Sequence, residues 1–179
     1  MALFGIEHDI RPKAFRARAT TGPLSPEIRP LGVEQREEIE DFLVRLDRES
    51  RCRRFGHAAS DEIVIAHAGT ALEDASCLIG AFVDESLRGL LEIYSCAPHP
   101  YSEVALVVDP DWRRRGLGWA LLRAAASRAC ETRRGGIRLI FTRDNWPMRR
   151  LASKANARFD LVLDEICAEI THVKLQRSD

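Results

Sequence analysis

The residues best suited to chemistry in this sequence are arginines and glycines that stand between a predicted strand and a predicted helix. Val104–Val108 is a run of apolar, mostly branched residues, which is typical of a buried strand. Arg113–Arg115 and then Gly116–Gly118 follow it, ahead of a segment rich in alanine and leucine. Free N–H groups in the first turn of a helix attract anions, and glycine lets a ligand approach the backbone closely. This order predicts a phosphate-binding site.

Two common phosphate-binding loops do not fit the spacing. A P-loop requires Lys-Ser or Lys-Thr after its second glycine, whereas Trp119 follows here. A dinucleotide-binding loop requires a third glycine where this chain has Leu121. The remaining pattern, Arg113-x-x-Gly116-x-Gly118, resembles the coenzyme A pyrophosphate loop of the GNAT family of N-acetyltransferases, which is written R/Q-x-x-G-x-G/A.

The elements around this loop predict an α+β fold with a central, mostly antiparallel sheet flanked by helices. Strands are expected at 27–31, 77–83, 89–95, 101–108, 137–141, 159–163 and 166–175, and helices at 33–48, from 60 or 61, at 116–133 and from 146. Pro30 places the first strand at an edge of the sheet. The order of these elements resembles the GNAT family over nearly all of residues 27 to 175.

Composition sets the broad class of the protein. The chain has 179 residues and a formal net charge of zero, so nothing global indicates a nucleic-acid partner. No apolar run approaches the roughly 20 residues of a membrane span. The five cysteines are never two or three positions apart, which favours neither a disulfide framework nor a zinc site and suits the cytoplasm. We expect a flexible tail at 1–25, one acetyltransferase domain at 26–179, and either a monomer or a homodimer.

The resemblance also implies which residues bind coenzyme A. In the family, the strand before the loop diverges from its neighbour, and its backbone pairs with the pantetheine arm of the coenzyme. The pyrophosphate then lies mostly on backbone N–H groups of the loop. Carried over to this chain, these roles fall on Leu106, Val107, Val108, Arg113, Arg114, Gly116, Leu117, Gly118 and Trp119. No group of residues has metal-ligand spacing, so no metal is expected.

A second family motif begins at Asn145, which the resemblance implies as a further contact to the pantetheine region. Asn145-x-x-Met148-x-x-Leu151 matches the usual N-x-x-A/M-x-x-L. Asn156 replaces a common glycine, and asparagine tolerates the left-handed helix cap expected there. Ala152 stands where many members have a tyrosine that protonates the leaving thiolate. An alanine donates no proton, so this chain departs from the family at its general acid.

Direct acetyl transfer also requires a base, because an ammonium group has no lone pair with which to attack a thioester. Glu103 is the first candidate, since some family members place a catalytic glutamate at the start of this strand; the alternative is a solvated carboxylate at a strand end. Glu92 and Tyr94 share one face of the neighbouring strand and are expected to form a surface pair or to line the acceptor pocket. His99 is a weaker candidate base.

Within the family, the segments at 47–55 and 148–154 look most like bacterial protein-lysine acetyltransferase domains. The resemblance implies an acetyl-CoA-dependent N-acetyltransferase. Its acceptor would be a primary amine of a small molecule, an amino acid or a protein lysine. Because Ala152 leaves the acid unassigned, a non-catalytic acyl-CoA-binding sensor or scaffold is the alternative. A nucleotide-phosphate binder is the third hypothesis.

Overall fold

A computed structural model describes residues 26–95 and 98–171 and has a seven-stranded sheet at its centre. Across the sheet the strands run in the order β1-β2-β3-β4-β5-β7-β6, and every neighbouring pair is antiparallel except β4 and β5. The strands are β1 (Glu27–Leu31), β2 (Cys77–Val83), β3 (Ser86–Tyr94), β4 (Tyr101–Val108), β5 (Gly136–Thr142), β6 (Arg158–Val162) and β7 (Glu165–Ile170). The predicted α+β class and the edge position of the first strand are confirmed.

Helices cover both faces of this sheet and bury two apolar cores. One core lies beneath α1 and α3, and the other lies beneath α4 and α5. The helices are α1 (Arg36–Arg45), α2 (Arg48–Phe55), α3 (Asp61–Asp74), α4 (Leu117–Glu131) and α5 (Trp146–Lys154). None of the helices in the two described ranges is long and apolar enough to cross a membrane.

The single helix predicted over 33–48 is two helices and a short 3-10 turn. The chain becomes extended at Leu46, and Asp47 then starts α2 by accepting a hydrogen bond from the Ser50 N–H at 2.7 Å. Aspartate is strongly favoured at the N-cap, so a new helix begins at this point. The spacing of the apolar residues alone had predicted one continuous helix. α2 therefore carries the arginines at 51, 53 and 54, and it lies against β4.

The inward face of α3 is formed by small and branched residues. Val64, Ala68 and Ala71 are buried, whereas Ile63 and Ala66 are exposed. Consecutive apolar residues along this helix offer two overlapping faces, and packing against α1 and β3 selects only one of them. The tail predicted for 1–25 and the last residues of the final strand, beyond 171, lie outside the described residues.

Candidate active site

The candidate site is a cleft that opens where β4 and β5 separate. The two parallel strands pair only from Tyr101–Glu103 to Gly136–Arg138. Beyond that point β4 stays bonded to β3 through Val108, while its other edge faces a cavity of about 770 Å³. A strand edge carries unpaired N–H and C=O groups that can bond an extended ligand. The backbone N–H and C=O groups along this edge of Val104–Val108 are therefore available to bond an extended ligand.

The cavity collects most of the residues predicted to bind a cofactor. All of them except Leu117 line its wall, and the side chain of Leu117 is buried in the core instead. The strand, the glycine loop, β5, the start of α5 and α2 each contribute to the wall. Among the described residues, six cationic side chains line the cavity and no acidic one does: Arg53, Arg54, Arg113, Arg114, Arg150 and Lys154.

The glycine loop presents free backbone donors to this cavity. Arg114 and Gly116 adopt left-handed φ angles of 63° and 91°, which turn the chain sharply into α4. The first N–H to bond back within the helix is that of Ala120, which donates to the Gly116 carbonyl at 3.0 Å. The N–H groups of the three residues between them therefore have no partner within the helix. They and the positive end of the helix dipole form an anion site.

The side chain of Arg113 has a structural role. Its Nε donates to the Val108 carbonyl at 3.2 Å, and its Nη2 donates to the Ser50 hydroxyl at 2.6 Å. The buried Ser50 hydroxyl in turn donates to Asp47, and these contacts lower the pKa of Asp47. Arg113 thus ties the loop to β4 and to α2, and its backbone N–H donates to the Pro110 carbonyl at 3.3 Å. Ser50 was not predicted as a residue of the site, although the Asp47-x-x-Ser50 spacing is typical of a capped helix.

Asn145 lies buried in the cavity wall at the start of α5. Its Oδ1 accepts a hydrogen bond from the Met148 N–H at 3.2 Å, so it caps the helix. The cap uses the carbonyl oxygen and leaves the amide NH₂ group for a ligand. Asn156 ends the same helix with a φ of 54°, which confirms the left-handed cap predicted there.

Glu103 forms the last residue pair that joins β4 to β5; it does not itself line the cavity, whereas the next residue, Val104, does. Its carboxylate accepts a hydrogen bond from Arg138 Nη2 at 3.0 Å, and its side chain is 39% exposed. Arg138 Nη1 also lies 2.8 Å from His99 Nε2. Because an arginine is always protonated, that histidine nitrogen must accept the bond, which uses the lone pair that His99 would need as a base.

Glu92 is the second carboxylate near the cleft, and the surface position expected for it is wrong. It is 1% exposed. Its carboxylate accepts hydrogen bonds from Arg54, from His67 Nε2 at 3.1 Å and from the Tyr94 hydroxyl at 2.7 Å. Burial by itself would raise the pKa of Glu92, but His67, Arg54 and Tyr94 together lower it to about 2. A carboxylate so firmly ionised is a poor proton acceptor.

Neither Tyr94 nor Ala152 has a readily available proton for the leaving thiolate. Burial and then the charge of Glu92 raise the pKa of Tyr94, whose hydroxyl is engaged with that carboxylate. Ala152 is fully buried in the core beneath α5 and offers no proton. Among residues 26–95 and 98–171, no three His, Cys, Asp or Glu side chains are placed to hold a metal ion.

Known proteins match both the sequence and this architecture. Residues 33–156 match the sequence model described as the Acetyltransferase (GNAT) family. Among curated proteins, no sequence gives a significant match.

Three solved structures illustrate the likeness in fold. The GNAT domain of S. lividans PAT superposes with a TM-score of 0.70 at 19% identity, covering 82% of this chain and 90% of that one. The PaiA N-acetyltransferase of Thermoplasma acidophilum, in complex with coenzyme A, has a TM-score of 0.65 at 22% identity, covering 83% and 99%. Spermidine N-acetyltransferase of Vibrio cholerae, in complex with CoA and spermine, has a TM-score of 0.68 at 15% identity, covering 85% and 98%.

Proposed function

The chain belongs to the acetyltransferase (GNAT) family and is an acyltransferase of that type, and we propose that it transfers an acetyl group from acetyl-CoA directly to a primary amine. The acceptor class comprises small-molecule amines, amino acids and protein lysines. The domain would span 26–179 and act as a monomer or homodimer. The four cysteines within the described ranges are free thiols, which supports a reducing compartment such as the cytoplasm.

The observation that carries this proposal is the divergence of β4 from β5 directly beside the glycine loop. An extended arm needs a free strand edge, and a pyrophosphate needs unpaired N–H groups; the cleft joins the two in one cavity. Gly118 stands at the junction, and a Cβ placed there would lie 3.5 Å from Leu151 and 3.9 Å from Val108. A Cβ would therefore fit there in ordinary contact, whereas a much larger side chain would fill the junction.

The cavity residues fit coenzyme A in chemical character. The backbone of Leu106, Val107 and Val108 would bond the pantetheine arm, although the Val108 carbonyl already accepts from Arg113. The pyrophosphate would rest on the N–H groups from 114 to 119, and the amide of Asn145 would bond the arm from the opposite wall. When bound, acetyl-CoA supplies an activated thioester as the acetyl donor.

Glu103 is the residue we propose as the base. It lies at the last pair before the strand edge becomes free, next to Val104 of the cavity wall, so an amine bound at that end of the edge would meet its carboxylate. Its ion pair with Arg138 fixes the orientation of the carboxylate without burying it. Glu103 would take the proton from the acceptor ammonium and expose its lone pair. The amine nitrogen would then bond to the thioester carbonyl carbon, and the C–S bond would break. The thiolate would leave without help from position 152, since a thiol has a pKa of about 8.5, and would take up a proton released by the amine nitrogen or from water.

The direct test follows the release of coenzyme A thiol from acetyl-CoA with a panel of amines, amino acids and lysine peptides. We expect thiol release that depends on at least one acceptor, with the acetylated amine detected in equal amount by mass spectrometry. A protein that is stabilised by coenzyme A but releases no thiol with any acceptor would be a sensor or scaffold instead. Stabilisation by ATP and none by coenzyme A would indicate a nucleotide-phosphate binder.

A pair of substitutions tests the location of the cofactor. Gly118→Trp would fill the junction between loop and strand and should abolish coenzyme A binding in a calorimetric titration. Gly118→Ala is the matched control, because its Cβ meets only ordinary contacts. The control should fold and bind coenzyme A within about threefold of the original protein, a change of less than 1 kcal/mol. Intact binding by a folded Gly118→Trp protein would place the coenzyme elsewhere.

A further inference from the structure

One face of α2 forms part of the cavity wall and contributes Ser50, Arg53 and Arg54. The two arginines are three and four residues after Ser50, so they share its face of the helix. We propose that Arg53 and Arg54 bind a carboxylate of the acceptor, so that the preferred acceptors are amines that also carry a carboxylate. The inference rests on the proposed function, because it concerns the acceptor of the same reaction, and it narrows the class of amines.

The contacts of α2 place the two arginines at the end of the cavity that is away from the glycine loop. The first turn of α2 is tied through Arg113 to the carbonyl of Val108, beside the loop. One turn later Arg54 bonds Glu92, whose partner across the strands is Ala105. Three residues of strand separate these two points, a distance of about 10 Å. The arginines therefore lie at the end where β4 leaves β5, beside the proposed base.

Arg54 is held in a fixed orientation at this end. Its side chain is 12% exposed, and its contacts with Glu92 and with His67 Nε2, the latter at 3.2 Å, both use Nη2. The other amine of the guanidinium, Nη1, is thereby left for a ligand. Glu92 is buried and does not line the cavity, so it orients Arg54 without covering it. A guanidinium that is already oriented loses little freedom when it binds a carboxylate.

Arg53 supplies positive charge that the cavity wall does not balance. Arg54 and Glu92 form an ion pair in which the two charges offset each other. Arg53 is paired with Glu49, whose side chain is 62% exposed, and it lies within electrostatic range of Asp144, which is also exposed. Neither of these two acids lines the cavity, and exposed ion pairs are weak. A carboxylate inside the cavity can therefore compete for the Arg53 guanidinium.

The chemistry of this end favours an acceptor that brings a negative charge. A guanidinium offers parallel N–H groups that match the two oxygens of a carboxylate. A polyamine, in contrast, would bring further positive charge to a wall that has no acid among the described residues. The required carboxylate can be that of a free amino acid or that of an acidic residue next to a protein lysine.

The release of coenzyme A thiol from acetyl-CoA tests this preference with matched pairs of acceptors. Alanine is compared with ethylamine, 4-aminobutanoate with propylamine, and acetyl-Asp-Lys-amide with acetyl-Ala-Lys-amide. The first member of each pair carries the carboxylate and the second lacks it. In at least one pair, the unmodified protein should favour the first member by about tenfold in kcat/KM, because hydrogen bonds between charged groups are the stronger ones. The pair that shows the preference identifies the source of the carboxylate.

Two variants locate the effect on α2. Arg53→Gln removes the unbalanced charge and should reduce the preference to about twofold, mainly through a higher KM for the acceptor with the carboxylate. The control Arg48→Gln makes the same change on the same helix, at an exposed residue that does not line the cavity, and should keep the tenfold preference. The ratio of two acceptors within one protein does not depend on how much of that protein is folded.

Each remaining outcome has a separate meaning. Equal kcat/KM values within all three pairs, or a preference for the plain amines, would overturn the role of the two arginines and leave the proposed function intact. A tenfold preference that survives Arg53→Gln would place the carboxylate on other residues and overturn the inference. A failure to release thiol with any amine would overturn the proposed function, and this inference with it.

Discussion

Two glutamates on adjacent strands point to the same face of the sheet, yet their surroundings differ completely. Glu92 on β3 is buried beneath α2 and α3 and receives hydrogen bonds from three side chains. Glu103 on β4 is more than a third exposed and receives one, from Arg138. Glu92 pairs across the strands with Ala105, only two residues from Glu103, so the contrast develops within a few ångströms.

This contrast separates a structural carboxylate from the one that we propose as the base. Glu92 fixes Arg54 against the cavity wall and is held ionised by its donors, so it has little tendency to accept a proton. Glu103 keeps part of its carboxylate in solvent at the point where the strands separate. The position of each residue relative to the cleft, and not the residue type, decides which carboxylate is available for acid–base chemistry.

The largest effect on stability should come from Glu92→Gln. This change leaves Arg54 and His67 facing a neutral group in a buried site, and breaking one partner of a buried pair costs about 3–5 kcal/mol. The equivalent change at Glu103, in a partly exposed pair, should cost less than about 1 kcal/mol. Urea unfolding of the two variants measures the difference. Equal losses of unfolding free energy in the two variants would contradict the proposed difference between Glu92 and Glu103.

The contribution of Glu92 to the free energy of unfolding should also be visible at low pH. The pKa of Glu92 is lowered from 4.5 in the unfolded chain to about 2 in the folded protein. A lowered folded pKa gives stability that is fully present above pH 4.5 and is lost as the pH falls through 2. This carboxylate should therefore contribute about 3 kcal/mol that disappears between roughly pH 5 and 2. Unfolding free energies measured across that range should fall more steeply in the unmodified protein than in Glu92→Gln.

Tyr94→Phe should give the smallest effect. It removes one of three donors to Glu92, and a hydrogen bond to a charged group is worth about 1.5–3 kcal/mol, less here because Tyr94 is only half-buried. We expect a loss near 1 kcal/mol by urea unfolding and no change in acetyl transfer. A large fall in turnover with unchanged coenzyme A binding would instead make Tyr94 the missing acid.

The backbone form of the glycine loop and of α5 was predictable from sequence because its determinants are local. Strand, turn, arginines, glycines and helix follow one another within about 20 residues, and Asn145 and Asn156 mark the two ends of one helix. Capping and left-handed turns depend on neighbouring residues, so their sequence signals survive in the fold. The use of the Arg113 side chain was missed, because Ser50 lies 63 positions away.

The contacts of Glu92 were not predictable, because its partners are distant in the sequence. Arg54 and His67 are 38 and 25 positions from Glu92, and nothing local indicates that two helices bring them over the strand. The one available signal was the charge itself, a glutamate inside the apolar run Leu90-Leu91-Glu92-Ile93. Because a charge is buried only when it is paired, such a residue in a buried strand indicates distant partners.

The most direct test of the account is the pH dependence of kcat/KM for acetyl transfer by Glu103→Gln, with Glu169→Gln as the control. Glu169 lies opposite Arg138 on the side away from the cleft, so the control makes the same change in charge beside the same arginine. We predict that Glu103→Gln lowers kcat/KM by about 100-fold near pH 7, because only the unprotonated amine then reacts.

The rate of the Glu103→Gln enzyme should rise about tenfold per pH unit towards the pKa of the acceptor, near ~10.4 for a lysine side chain. Its affinity for coenzyme A should match that of the unmodified protein, and Glu169→Gln should retain nearly full activity. An unchanged kcat/KM and pH profile in Glu103→Gln would contradict the account and remove Glu103 from the reaction.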